Sequence, residues 1–332
     1  MHARLYRLLV LSWILLALFL WGCSSQKDHL KTLEQGIAQV LGEAGPSVVS
    51  ISVRNEDLNL NRLGSGVIIE ESYILTVENL LQNADEITIK LQDGTQIMDS
   101  NIYIHGCDFE TNLSLLQIET ENLKPTRMAR EIKNGSLGIV LGNTEYSKGL
   151  QVNLGTIGNS WIGGMDGYDD NLLVFTAPCT PYHPGTPVFN SKAELVGLIE
   201  GKIEGEENVV LLVPATTMSQ ASQILKKDGE IKRGWIGIVS AGMCKRKKAV
   251  VEEVIQGSPA QKAGLKKGDM VLACDGIELE NGVELKRMIS KFQKGTSIRL
   301  KVLRQGKEKE LDLTVEWAKN LPRKRRCPDR SI

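Results

Sequence analysis

From Pro46 onward the chain is written in short apolar, β-branched runs separated by turn residues, and this spacing limits the fold more than any other feature. Val48 to Val53 alternates. Gly66 to Ile69, Tyr73 to Thr76, Ile87 to Leu91, Leu113 to Ile118, Leu137 to Leu141, Leu172 to Thr176, Leu195 to Ile199 and Val209 to Val213 continue the series. Each run is too short for a helix that buries a face, and their regular spacing predicts an all-β barrel or sandwich. Asp93-Gly94 is a strong hairpin signal, because both residue types tolerate the positive φ a tight turn needs. Pro214 ends the last strand. Ala215 to Lys227 then carries Met218, Ala221, Ile224 and Leu225 at helical spacing and is expected to stop at Gly229.

A second, smaller unit follows. Val250 to Ile255 reads as a strand. Ser258-Pro259 opens a short helix, since Ser is a good N-cap and Pro suits the first helical position. Gly264 closes it. Asp269 to Cys274 is a strand turned by Asp275-Gly276, Val283 to Phe292 an amphipathic helix, and Ile298 to Leu303 with Glu310 to Val315 a hairpin turned at Gln305-Gly306. Strands and two helices in so short a stretch predict a separate α+β domain.

The first residues are a targeting segment and not part of the fold. Arg4 and Arg7 precede an apolar run from Leu8 to Trp21, which is short for a span of about 20 residues and fits a signal-peptide core. Gly22-Cys23 at its end resembles a lipobox, which makes Cys23 the lipidated first residue of the mature chain; the plainer reading is an ordinary signal peptide with a coincidental cysteine. Ser24 after the cysteine favours the outer membrane where the organism has one. Leu30, Leu33, Ile37, Val40 and Leu41 then give a short helix ending near Gly42. Lys plus Arg and Asp plus Glu are equal at 40 each, so nothing points to nucleic acid. The cysteines beyond Cys23 (Cys107, Cys179, Cys244, Cys274 and Cys327) show no metal-type spacing; no metal or cofactor is expected, and one unassigned disulfide is open.

Several motifs together resemble the HtrA/Deg family of periplasmic serine proteases, over roughly residues 46 to 316. They are Pro46-Ser47-Val48-Val49, Gly64-Ser65-Gly66-Val67-Ile68-Ile69, Tyr73-Ile74-Leu75-Thr76, Leu113 to Ile118, Val213-Pro214-Ala215, Trp235-Ile236-Gly237-Ile238 and the run from Ser258 to Asp269. The resemblance implies a mainly β chain: a trypsin-like double barrel of six strands each (the chymotrypsin fold), followed by an α+β PDZ domain. The expected division is a signal peptide over 1–22, a tether and short helix over 23–45, the protease-homology domain over 46–229, the PDZ domain over 230–316 and a basic tail over 317–332.

The same alignment puts Asn79 at the family's catalytic His, Asn112 at its Asp and Pro184 at its Ser, within Tyr182-His183-Pro184-Gly185-Thr186-Pro187. The chemistry of these residue types argues against catalysis by itself. An amide does not titrate near neutral pH and cannot serve as the general base. Asn112 has no charge to stabilise an imidazolium. Pro184 has neither a hydroxyl nor the backbone N–H that would be one of two oxyanion donors, and one such donor is worth roughly 100- to 1000-fold in rate. A Cys179/His183 pair is the alternative nucleophile and base, set against a core cysteine and a solvent-facing loop histidine. His105 and Asp108 read as strand-end and turn residues that make no recognisable site.

The resemblance leaves the PDZ half intact. The loop at Trp235, Ile236, Gly237 and Ile238 is expected to hold a peptide C-terminal carboxylate, and the strand after it to accept the peptide as an added strand. Leu285, Met288 and Ile289 on the Val283 to Phe292 helix are candidates for the groove wall or, equally, for the core. Lys245 to Lys248 and Arg323 to Arg326 read as solvated basic runs. The expectation is a lipid-anchored, catalytically inactive homologue in the cell envelope that binds peptide C-termini or unfolded polypeptides. The alternatives are an active serine or Cys179-based endopeptidase, and a regulatory subunit in trimers with an active relative or with itself.

Overall fold

A computed structural model describes residues 29–120, 123–143, 149–160, 172–177, 183–203, 206–241 and 249–318. Cys23, Cys179, Tyr182 and both basic runs lie outside these residues.

The chain enters through a helix, α1, over residues 29–44, longer than the short helix expected. Only its C-terminal end is covered, where Val40 and Ala44 are buried. Leu30 and Leu33, nearer its start, are exposed. The first β unit comprises β1 (Val48–Asn55), β2 (Leu60–Glu70), β3 (Tyr73–Val77), the one-turn helix α2 (Glu78–Leu81), β4 (Glu86–Lys90), β5 (Gln96–Ile97), β6 (Ile102–Asp108) and β7 (Leu113–Ile118). They form one seven-stranded sheet in the order β5-β4-β1-β2-β3-β7-β6, one strand more than expected because the two-residue β5 extends its edge.

The second unit comprises β8 (Arg127–Met128), β9 (Leu137–Gly142), β10 (Gln151–Ser160), β11 (Leu173–Thr176), β12 (Pro187–Phe189), β13 (Glu194–Lys202) and β14 (Val209–Pro214). Because β12 pairs with both β9 and β13, six of these strands close on themselves. β8 is added parallel to β13. Closure removes the free edges that a lone sheet would present. Phe175, Val188 and Ile199 fill this second barrel. Ile51, Ile74 and Leu115 of the first unit share a core with Leu195, Leu198 and Phe189 of the second, so the two pack as one body.

Helix α3 (Ala215–Asp228) closes the pair, and Gly229 returns its N–H to the Leu225 carbonyl at 2.9 Å. Beyond it lie β15 (Gly234–Trp235), β16 (Ile238–Ala241), β17 (Ala249–Val254), α4 (Pro259–Lys262), β18 (Met270–Cys274), β19 (Ile277–Glu278), α5 (Gly282–Ser290), β20 (Ser297–Arg304), β21 (Lys307–Thr314) and β22 (Glu316–Trp317). Ser258 caps α4 through its hydroxyl, which accepts from Gln261 N–H at 3.1 Å, and Asn281 caps α5 by accepting from Glu284 N–H at 3.0 Å. This domain has its own core around Ile236, Val271, Leu285, Leu300 and Val315. Cys274 lies in it as a free, buried thiol, and burial, then the Asp275 charge, pushes it up to about 11. It is therefore an inert core residue. Cys107, on β6, is disulfide-bonded.

Strand β6 grips the segment that joins the two parts. The His105 ring N–H donates to the Lys226 carbonyl at 2.8 Å, and Cys107 N–H to that of Gly229 at 3.3 Å. Asp108 receives both terminal nitrogens of Arg233, its Oδ2 at 2.7 Å from Nη2, and takes the Thr111 N–H and hydroxyl as well. Glu110 then sits 3.4 Å from Arg233 and 3.6 Å from Lys286 on α5. A second buried pair holds the smaller domain together: Asp269 accepts from Arg304 Nε and Nη2, both at 2.6 Å.

Two outcomes follow from these pairs. Arg233→Met strands the buried Asp108 carboxylate and is expected to cost about 3–5 kcal/mol in urea unfolding. Burial pushes the Asp269 carboxyl up, but Arg304 and the Lys266 N–H outweigh it and hold it below its ordinary value. A depressed folded-state pKa gives stability that is complete above about pH 4 and is lost as pH falls through the folded value. Arg304→Met is expected to destabilise the chain at neutral pH and to flatten that part of its acid unfolding profile.

Candidate functional site

Asn79, Asn112 and Pro184 come from three different elements and meet where the two β units face each other. Asn79 is on α2, directly after β3. Asn112 lies in the β6–β7 turn with φ of 51°, a left-handed conformation that Asn tolerates better than most residues. Its Oδ1 accepts Asn79 N–H at 2.9 Å, and its carbonyl accepts Glu78 N–H at 3.0 Å. Arg62 on β2 donates to the carbonyls of Asn79 and Gln82, holding the end of the short helix. Desolvation lowers the Arg62 pKa, opposed by the nearby Glu78 charge.

The Pro184 loop is bound just as tightly. The Pro184 carbonyl accepts Ser65 N–H at 3.0 Å, and Thr76 Oγ1 donates to the Ser65 carbonyl at 2.7 Å. Gly185 N–H donates to the Ile199 carbonyl at 2.8 Å. Gly185 has φ of +79°, and a Cβ there would lie 2.0 Å from the Ser65 carbonyl oxygen, so this position admits glycine alone. His183 is half-buried, where a solvent-facing residue was expected, and its carbonyl accepts both Thr186 N–H and Thr186 Oγ1, at 3.2 and 2.7 Å. The Gly185 N–H thus ties the loop to β13, and the Thr186 N–H closes the loop on itself.

Glu200, on β13, is the residue that sequence reasoning missed. It is 8% exposed; its Oε1 accepts Asn112 Nδ2 at 3.3 Å and its carbonyl accepts Asn79 Nδ2 at 3.4 Å. The only sequence signal is an acidic residue closing the apolar run Leu195 to Ile199. The centre therefore contains amides, a carboxylate and a proline. Asn79 Oδ1 is buried there with no hydrogen-bond partner among the described residues. His105 lies elsewhere: it meets Gln117 Oε1 at 3.1 Å and the edge of Tyr73, with ring centroids 5.4 Å apart.

The second candidate site is the loop at Trp235 to Ile238 with strand β16. The Ile236 carbonyl accepts Ala260 N–H and the Gly237 carbonyl accepts Ile255 N–H, both at 2.9 Å. In a trans peptide the following N–H points the opposite way, so Gly237 and Ile238 aim theirs away from α4 and β17. Among the described residues β16 has β17 as its one neighbour and is an edge of its sheet, with Val239 43% exposed. Leu285 and Ile289, at 1% and 5% exposure, are core residues and do not line this edge. They sit one helical turn apart on the inward face of α5, whereas Met288, about 100° around the helix from Ile289 and about 60° from Leu285, keeps partial exposure.

The chain matches the trypsin-like peptidase domain over residues 64–198 and the PDZ domain over residues 225–315. It is 30% identical over 294 residues to the serine endoprotease DegS of Haemophilus influenzae, covering 82% of this chain and 85% of that protein. It is 29% identical to a probable periplasmic serine endoprotease DegP-like of Pseudomonas putida, of which it spans only 56%. Among solved structures, the serine endoprotease from Yersinia pestis superposes with a TM-score of 0.72 at 26% identity, covering 85% of this chain and 98% of that one. The HtrA-type protease AlgW with a decapeptide shares the fold, with a TM-score of 0.73 at 22% identity, over 85% of this chain and 99% of that one.

Gly237 provides the test of this geometry. Its φ is +82°, and an added Cβ would fall 2.1 Å from Ser258 Cβ. Gly237→Ala is expected to lower the stability of the smaller domain by more than about 2 kcal/mol, from backbone strain and overpacking together. Thermal unfolding followed by the fluorescence of Trp235 and Trp317 measures it.

Proposed function

This chain belongs to the family of HtrA- and DegS-like trypsin-like serine proteases that carry a PDZ domain, and from that premise we propose that it is a non-catalytic member acting as a binding protein in the cell envelope. The observation that carries the reading is Pro184 in its loop. The position offers no hydroxyl and no N–H, and the N–H groups that follow it are spent on Ile199 and His183. With amides at 79 and 112, no group at these positions takes a proton from a nucleophile near neutral pH.

Binding falls to the PDZ edge. Gly237 and Ile238 supply N–H groups for a terminal carboxylate, β16 offers its open edge to an extended chain, and Val239 and Met288 give apolar contact. Trp235 and Ile236 fix the loop, Ile236 from inside the core. That the AlgW structure holds a decapeptide supports a peptide as ligand class. The proposed division keeps 1–22 as signal peptide, 23–45 as tether and helix, 46–229 as the protease-homology domain, 230–316 as the PDZ domain and 317–332 as tail. Lipid on Cys23 would hold the chain at the extracytoplasmic face. The DegP-like relatives are named periplasmic, and among the described residues no helix is long and apolar enough to cross a membrane.

One incubation tests the reading. Purified mature chain is mixed with denatured casein and scored for fragments and for a complex that survives gel filtration. We expect no fragments above a blank and a complex weakened by Met288→Glu. Fragments that vanish on thiol alkylation would instead establish a Cys179 mechanism, and fragments that persist would establish a serine-type or other hydrolase.

A further inference from the structure

Loss of catalysis does not by itself explain why position 112 is an amide. A site without a base has no use for an orienting carboxylate, but it has no reason to reject one either. The reason lies on the opposite strand. Glu200 Oε1 is 3.3 Å from Asn112 Nδ2, and the Glu200 side chain is enclosed. Asn112 uses both ends of its amide: Oδ1 accepts from Asn79 N–H at 2.9 Å while Nδ2 donates to Glu200. An aspartate at 112 would keep the first bond and lose the second, because an ionised carboxylate only accepts. It would also put two carboxylates within hydrogen-bonding distance in a site shut off from water, where they cannot both ionise without strong repulsion.

Among the described residues, Glu78 and Arg62 do not relieve this. Glu78, on α2, is buried and adds a further negative charge. Arg62, on β2, is the cation at hand, but its terminal nitrogens are engaged by the Asn79 and Gln82 carbonyls, and its charge faces Glu78. We propose that Glu200 fixes residue 112 as a neutral amide, and that the chain Asn79–Asn112–Glu200 is a strut tying the first β unit to strand β13 of the second. The carboxylate of this centre has moved across the interface, and its new position makes the inactive arrangement self-consistent. This inference rests on the non-catalytic reading, but its test reads folding and not cleavage, so the two fail separately.

The test is a double-mutant cycle of Asn112→Asp, Glu200→Gln and the pair, by urea unfolding of the mature chain. The pair reverses the polarity of the contact, with an amide at 200 donating to a carboxylate at 112. We expect N112D to lower the folding constant at least tenfold more when Glu200 is present than when residue 200 is changed to glutamine, a coupling of about 1.4 kcal/mol or more. N112D failing to fold while the pair folds is the same result in stronger form. Equal losses in both backgrounds, no loss in either, or failure of both to fold would overturn the assignment.

Discussion

One buried carboxylate, Asp108, is shared by the two halves of the molecule. It lies at the end of β6 and accepts from Thr111 on one side and from both terminal nitrogens of Arg233 on the other. The Thr111 bonds shape the β6–β7 turn, and that turn sets Asn112 in its left-handed conformation beside α2. The Arg233 bonds fix the approach to β15, where the PDZ domain begins. A charge this enclosed is tolerable only because every oxygen is answered. The turn that carries Asn112 and the joint that leads into β15 therefore depend on the same side chain. Lys286 adds a contact from α5 to Glu110, so the helix beside the edge strand is braced on the barrel.

The centre between the β units joins Asn79, Asn112 and Glu200 by hydrogen bonds, with the Pro184 loop bound to Ser65 and Ile199. Its backbone is held by bonds that do not depend on which side chains are present, such as Pro184 carbonyl to Ser65 and Gly185 to Ile199. This explains how the loop accommodates proline. In the described loop the carbonyl at 184 is the group in use, and proline supplies a carbonyl as well as any residue does. What proline removes is the N–H.

Much of the fold was legible because its signals are local. Alternation gave β1, the Asp-Gly and Gln-Gly pairs gave the turns, and Ser258-Pro259 gave the start of α4 with the cap bond in place. β6 and β10 escaped because His105, Gly106 and Asp108, like Asn153, Gly155, Gly158 and Asn159, break the apolar pattern; their strand state is imposed by neighbours in the sheet. The closure through β12 was also hidden, since pairing with both β9 and β13 is a property of the whole ring. In the candidate site, motif reading singled out Asn79 and Asn112, which are hydrogen-bonded to each other, and Pro184, whose loop is bound to Ser65 and Ile199. Glu200 was not singled out, because its meaning depends on a residue 88 positions away. Asp108 does lie at a strand end, as its sequence suggests, but its buried pair was hidden for the same reason: Arg233 is 125 positions distant.

Leu285 and Ile289 sharpen what the PDZ edge offers. With both committed to the core, the apolar surface left beside β16 is modest, chiefly Val239 and the exposed part of Met288. On the proposed reading, most of the recognition on this edge comes from main-chain hydrogen bonds and the loop at Gly237 and Ile238, groups that are the same for any extended chain. Such a surface is permissive about sequence, and its affinity depends on being held rigid before the ligand arrives, since ordering a loop on binding subtracts directly from affinity. The bonds from β6 to Lys226, Gly229 and Arg233 hold the segment that leads into this domain. On the proposed reading, carrying this edge is a physical task for the barrel that needs no nucleophile.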